Sequence, residues 1–426
     1  CHCSKIFTSI ILERIRKKTE EILSEEQAGF RASRSTIDQL FTLRQLSEKY
    51  TDFSRDLFVC YIDFRKAFDS IWRKGLWRVM RNTGYPEKIV RLLEGLYRGT
   101  FSAVRIGADL TEWFETIVGV LQGCMLSPLL FNIFLEILMA RALRDVDTGA
   151  VINGHVINNL RFADDIAALA EKEKELQQVV DNIVAESKKM GMMVNIEKTE
   201  VQHIGAQTKE IHIKIDSKDL KQIDDFIYLG GTISDDASTD KDVQRRTGLA
   251  CGVMQSLAPI WKSKAISTQT KVKVYETLVL SVLLYNSETW ALKESTKKKL
   301  RVFEMSCLRK IKGVTRRNRV RNTEIRRELK VETDVVQIIQ RRRLRYFGHI
   351  TRMSGERLPA IAFSGNVHGS RKRGRPKKRW EDNLKADLDE MGHTMVEAIR
   401  LASSDRDVWR KSVLGLSERG SPSPRH

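Results

Sequence analysis

Cysteine is scarce and unpatterned in this chain: six among 426 residues, at positions 1, 3, 60, 124, 251 and 307. That scatter excludes a disulfide-built scaffold. Several of the six sit in apolar segments where a free thiol packs well, which points to a reducing compartment. Cys1-His2-Cys3 has metal-ligand residue types, but no second Cys/His pair follows at zinc-finger spacing. Long hydrophobic runs are missing too. The segment Leu278–Leu284 is too short to span a bilayer and suits a buried helix, and no signal peptide is legible. No internal repeat is present. Acidic charge is the last shortage, and it is local. The whole chain carries a net +19, yet residues 301–380 hold 24 Lys and Arg against 6 Asp and Glu, a net of +18. Those cations are interleaved with Tyr346, Phe347 and Trp380 and with Ile338, Ile339 and Leu344. Cations among aromatic side chains favour phosphate contact and base stacking, so the block reads as a nucleic-acid footprint.

Against that background the carboxylates carry the most information. Asp164 and Asp165 lie in Phe162-Ala163-Asp164-Asp165-Ile166, between the apolar runs 157–160 and 166–169. The pattern predicts a hairpin with two anions at its turn, which cations or solvent must meet. Upstream, the apolar strand Phe58-Val59-Cys60-Tyr61-Ile62 ends at Asp63, and helical spacing follows from about Ala67 through Ile71, Trp72, Leu76, Val79 and Met80. A carboxylate at a strand end, facing a carboxylate hairpin, suits a two-metal site. Two hard cations about 3.5–4 Å apart take oxygens from separate segments. The plainer reading of Asp63 is a helix cap or a salt bridge to Arg65 or Lys66. Between these elements lies Gly119-Val120-Leu121-Gln122-Gly123-Cys124-Met125-Leu126-Ser127-Pro128. Gly123 permits close backbone approach. Ser127-Pro128 predicts a helix start with Ser127 as cap, running apolar through Phe131, Phe134, Leu135, Leu138 and Met139.

These three segments, in this order, resemble motifs A, B and C of reverse transcriptases, and more narrowly those of non-LTR (LINE-type) retrotransposons. Further segments extend the resemblance along most of the chain. Gln27-Ala28-Gly29-Phe30-Arg31 through Gln39 is similar to a fingers signature. Gly191 through Thr199 resembles motif D, and Phe226-Ile227-Tyr228-Leu229-Gly230 resembles the primer grip. Leu284–Trp290 and Arg343–His349 are similar to segments that follow the polymerase. The resemblance implies an α+β right-hand polymerase with a helical thumb and a basic, mainly helical C-terminal region. The expected divisions are residues 1–237 for fingers and palm, with strands at 57–63, 103–107, 160–163, 166–169 and 226–233, then 238–300 for the thumb-like region, with helical periodicity at 243–257 and 271–284, and 301–426 for the basic region.

By the same resemblance, Asp63, Asp164 and Asp165 would hold two Mg2+ ions, with Mn2+ as an alternative. Lys198 would protonate or bind the leaving pyrophosphate. Phe68 would crowd the sugar 2′ position, or else is a core aromatic, while Gln122 and Gly123 would touch the incoming nucleotide. Arg31 and Arg34 would clamp template phosphates or stand exposed. Phe226, Tyr228, Leu229 and Gly230 would hold the primer end, although their alternation is also ordinary strand packing. The cluster Arg371-Lys372-Arg373-Gly374-Arg375-Pro376-Lys377-Lys378-Arg379 is similar to an AT-hook and equally to a nuclear-localisation signal. The expected partners are an RNA template, a DNA primer or target and dNTPs, with no membrane, in a ribonucleoprotein of nucleus and cytoplasm.

Two departures stand out. Leu121 and Met125 replace the family's usual cation and proline in motif B. The start at Cys1 reads as the end of the first fingers motif, so the expectation is an N-terminally truncated enzyme. The alternative function is an inactive remnant that only binds nucleic acid.

Overall fold

The computed structural model describes residues 2–205, 207, 209–369, 371 and 377–415. They fall into two compact units. The first draws on Cys1–Gln39, Ser54–Asp224 and Asn366–Gly369, and the second on Leu40–Phe53, Asp225–Gly365 and Ser370–His426. Helices dominate, with one five-stranded sheet and several two-stranded ribbons, an α+β architecture.

The first unit is built on that sheet. Its strand order is Lys221–Gln222, Glu200–Ile204, Leu57–Ile62, Asp165–Ala170, Asn159–Phe162. All neighbours run antiparallel except the parallel pair at the Lys221 edge. Leu57–Ile62 is apolar without a break and is buried at every position, as an unbroken apolar run of strand length requires. The helix Ser127–Ala142 is apolar nearly all round and is buried accordingly. Two of its buried polar side chains reach across to other elements. Asn132 Nδ2 donates to the Gly29 carbonyl at 2.7 Å, and Glu136 pairs with buried Arg161 at 3.4 Å.

Three local expectations change here. Ser127 is not the helix cap: its hydroxyl donates to the Leu121 carbonyl at 2.5 Å, and Leu126 precedes the helix without a side-chain cap. The helix expected from Ala67 is broken into a 3-10 turn, Ala67–Ser70, and a helix, Arg73–Asn82, because Trp72 adopts extended backbone between them. The strand expected at 103–107 shrinks to Arg105–Ile106 in an exposed ribbon with Asp109–Leu110.

Among its described residues, the second unit is helical apart from one hairpin. The expected strand 226–233 is two strands, Asp225–Tyr228 and Gly231–Ser234, joined by Leu229 and Gly230, both at positive φ. Two left-handed residues make the tight turn whose twist matches antiparallel strands. The helix expected at 271–284 runs from Thr268 to Leu283 but loosens into a π turn at Tyr275–Val279. A buried polar hub anchors the packing around Asp242. Its carboxylate accepts from Arg44 (2.7 Å), Trp290 Nε1 (2.8 Å) and the Thr232 amide (3.0 Å). These bonds offset its desolvation, and the Arg44 guanidinium helps hold it below the usual carboxylate range. Among the described residues no helix is long and apolar enough to cross a membrane.

Candidate active site

Strand register builds the site before any side chain is considered. Ile62 pairs with Ile166 across the antiparallel neighbours, so the next step brings Asp63 opposite Asp165 at that end of the sheet. Phe162 pairs with Asp165, which leaves Ala163 and Asp164 as the hairpin turn. Ala163 sits at φ 57°. The three carboxylates therefore share one end of the sheet. Partial burial, with the negative charge of Asp63, raises Asp164 above the usual carboxylate range. Loss of hydration first, then the charges of Asp164 and Asp63, pushes Asp165 up to about 6.

The turn is gripped from below by residues 26–29. Gln27 is fully buried and forms a parallel bridge with Arg161. Its Oε1 accepts from the amides of Ala163 (2.9 Å) and Gly29 (2.8 Å), and its Nε2 donates to the Ala163 carbonyl at 3.4 Å. A β-carbon on Gly29 would lie 2.3 Å from the Ala163 nitrogen, so only glycine allows this approach.

On the other side, the segment resembling motif D is tied to Asp63 itself. Asn195 donates its amide to the Asp63 carbonyl at 2.8 Å, and the Asp63 amide donates to Thr199 Oγ1 at 3.3 Å. Lys198 is exposed in the turn between them. The motif B loop is fastened to the segment after Asp63: Gly119 and Val120 donate to the carbonyls of Ile71 (2.8 Å) and Phe68 (2.9 Å). Arg73 braces the same loop, donating to the Gly119 carbonyl at 2.8 Å. Gln122 is exposed and donates to Asp69 at 2.9 Å, and Gly123, at φ 81°, faces open space. Leu121 packs against the core, which accommodates an apolar residue there, whereas Met125 is exposed. Phe68 is half-buried, stacked on Phe131 at 4.5 Å and edge-on to Phe30 at 6.4 Å.

Both candidate template arginines have acidic partners. Arg31 is nearly buried, paired with Glu20 at 2.9 Å and donating to the carbonyls of Ser24 (2.5 Å) and Gln27 (2.9 Å). Arg34 pairs with Glu25 at 2.6 Å. Both guanidinium groups are engaged inside the unit rather than standing exposed.

In the second unit, the hairpin that carries Phe226, Tyr228, Leu229 and Gly230 is clamped at its turn. The Gly230 carbonyl accepts from Arg246 and, at 2.5 Å, from Arg245, while Tyr285 donates to the Leu229 carbonyl at 3.2 Å. Tyr228 is buried and Phe226 half-buried. Of the basic cluster, Lys372, Arg373 and Arg375 lie outside the described residues. Arg371 lies 5.2 Å from the Phe53 ring, and Lys377 donates to the Asp236 carbonyl at 3.0 Å. Lys378 is exposed. Arg379 pairs with Asp382 (3.0 Å) and Asp52 (3.5 Å) at a helix start, which is structural work.

Sequence reading missed Gln27, Gly29, Thr199 and Arg161 as parts of the site's frame. The first three stand inside segments already singled out, and their roles depend on contacts made 103 to 136 positions away. The donor set at the sheet end fits a hard divalent cation: three carboxylate groups, two of them held above the usual carboxylate range by burial and then by their neighbours' negative charge. Among the described residues, no three His, Cys, Asp or Glu side chains are already gathered to hold an ion.

Several known proteins are similar to this chain in sequence. The profile of a family described as reverse transcriptase (RNA-dependent DNA polymerase) matches residues 1–233, and a domain of unknown function (DUF6451) matches 254–285. An uncharacterized transposon-derived protein of Caenorhabditis elegans is 25% identical over 268 residues, covering 61% of this chain and 95% of that protein. The RNA-directed DNA polymerase from mobile element jockey of Drosophila funebris is 26% identical over 341 residues. That match covers 75% of this chain, which spans 36% of the jockey polymerase. Among solved structures, telomerase from Candida albicans, with a fragment of telomeric RNA, is 12% identical at a TM-score of 0.45. It covers 76% of this chain and 57% of that one, a weak likeness.

Proposed function

This chain belongs to the reverse transcriptase (RNA-dependent DNA polymerase) family, and from that premise we propose that it extends a primer 3′-hydroxyl with deoxynucleotides on an RNA template. It would act as the polymerase portion of a non-LTR retrotransposon protein. The observation that supports this most is the strand register, which puts Asp63, Asp164 and Asp165 at one end of the sheet, where burial and mutual negative charge raise Asp164 and Asp165.

In this reading Asp63, Asp164 and Asp165 hold divalent cations, Mg2+ in the first instance. Such cations supply Lewis-acid stabilisation and a template for in-line displacement. The primer oxygen bonds to the α-phosphorus as the bond to pyrophosphate breaks. Gln122 and Gly123 form the open edge where the nucleotide enters, and Gly123 brings bare backbone to it. Phe68, held by its stack on Phe131, presents a ring edge that would exclude a ribose 2′-hydroxyl. Exposed Lys198, on the turn hydrogen-bonded to Asp63, is suited to meet the departing pyrophosphate. Residues 1–237 would serve as fingers and palm and 238–300 as thumb, with the basic stretch from 301 adding sequence-independent hold on nucleic acid. Arg31 and Arg34, already paired, support the fold around the template side.

The test is primer extension on an RNA template with Mg2+ and dNTPs, comparing wild type, Asp164→Ala and an EDTA control. Extension by wild type alone is expected. Salt-sensitive nucleic-acid binding by both proteins, with extension by neither, would overturn the polymerase reading.

A further inference from the structure

We propose that Gln27 is a positioning residue for the cation-binding carboxylates, an inference that rests on the polymerase reading above. The turn that carries Asp164 needs a hold. Ala163 lies at φ 57°, in the left-handed region that an L side chain keeps only when its surroundings over-determine it. The torsions of Ala163 decide where the next residue, Asp164, points.

One buried amide grips both polar groups of Ala163. Gln27 Oε1 accepts from its nitrogen at 2.9 Å, and Nε2 donates to its carbonyl at 3.4 Å. The same Oε1 accepts from the Gly29 amide at 2.8 Å, so the side chain is itself tied down. The strap around it is registered against the hairpin strand. Ala28 donates to the Arg161 carbonyl and Arg161 to the Glu26 carbonyl, both at 2.9 Å. Gln39 Nε2 donates to the carbonyls of Glu26 (2.7 Å) and Arg161 (3.1 Å). Asn132 holds the far end at the Gly29 carbonyl. A staple meant only for stability would serve anywhere along Asn159–Phe162. This one closes on the single residue that aims Asp164. Gln27 touches neither substrate nor cation, and acts through the backbone.

The test uses the whole chain and two readouts: Mn2+ binding followed by electron paramagnetic resonance, and the Mg2+ midpoint of primer extension. Gln27→Met fills the volume without polar atoms. Both the Mn2+ dissociation constant and the Mg2+ midpoint are expected to rise about 10-fold, the low end of what outer partners of metal ligands contribute. A Gln27→Met protein with both values unchanged, but a lowered melting temperature, would make Gln27 a structural staple and overturn the proposal. Should Gln27→Met fail to melt cooperatively, Gln27→Asn replaces it with the same expected rise, since its amide falls one carbon–carbon bond short. Wild type that neither binds Mn2+ nor extends a primer would sink the polymerase reading itself, and the proposal with it. Failure of Gln27 alone leaves wild-type binding and extension intact.

Discussion

Gly29→Ala should displace the Ala163-Asp164 turn without touching a carboxylate. The added β-carbon would stand 2.3 Å from the Ala163 nitrogen, 2.9 Å from the Phe162 carbonyl carbon and 3.0 Å from Gln27 Oε1. Ordinary contact begins at 3.4 Å, so strap and turn must part by 3.4 − 2.3 = 1.1 Å. The nearest two atoms are backbone, which has no rotamer to offer. Gly29 is not among the positive-φ residues, so the penalty is steric rather than torsional. A misplacement near 1 Å at a reacting centre costs about 100-fold in rate, and overpacking costs about 1–3 kcal/mol of stability. Single-turnover primer extension, normalised to the folded fraction from urea denaturation, separates the two effects. Gly95→Ala is the control, because nothing lies within 4 Å of its β-carbon in the helix Glu87–Tyr97. It should be neutral in rate and more stable by about 0.5–1 kcal/mol. Gly29→Ala at more than half the wild-type rate would refute the strap argument.

Three other outcomes follow from the packing. Burial pushes Glu48 up to about 7 from 4.5, so the folded protein keeps a proton that the unfolded chain has lost. Stability should therefore fall by about 3 kcal/mol as pH rises from 4.5 to 7, then level off. Glu48→Gln, which still accepts from the Trp380 amide, should flatten that slope in urea melts at stepped pH; an unchanged slope would clear Glu48. Asp242→Ala strands the buried Arg44 charge and leaves Trp290 Nε1 and the Thr232 amide without their acceptor. A loss of about 3–5 kcal/mol is expected, and a loss under about 1 kcal/mol would show that the hub is dispensable. Phe68→Val removes the ring stacked on Phe131 and should raise the rNTP-to-dNTP incorporation ratio about 10-fold in competition assays. An unaltered ratio would leave Phe68 as a core aromatic.

Much of the active-site plan is written locally. The unbroken apolar run before Asp63 forms a buried strand whatever surrounds it, and the paired runs around Asp164-Asp165 make a hairpin because period and turn lie within a dozen residues. The apolar helix after Gly123 is legible for the same reason. Strand type at 226–233 was visible, but its tight turn at Leu229-Gly230 was not, since leucine rarely takes the positive φ that the turn requires of Leu229.

What tertiary structure alone decided is how polar side chains are used. A charge pattern says that Arg31, Arg34 and Arg379 are cationic. It does not say that Glu20, Glu25, Asp52 and Asp382 neutralise them. Gln27 looks like any polar residue until the fold buries it against Ala163, 136 positions later, where both ends of its amide find partners. Motifs come from short-range periodicity, which one chain segment contains entire. Pairing comes from which segments the core brings together, and burial makes every unpaired polar atom costly enough that those partners are chosen in space.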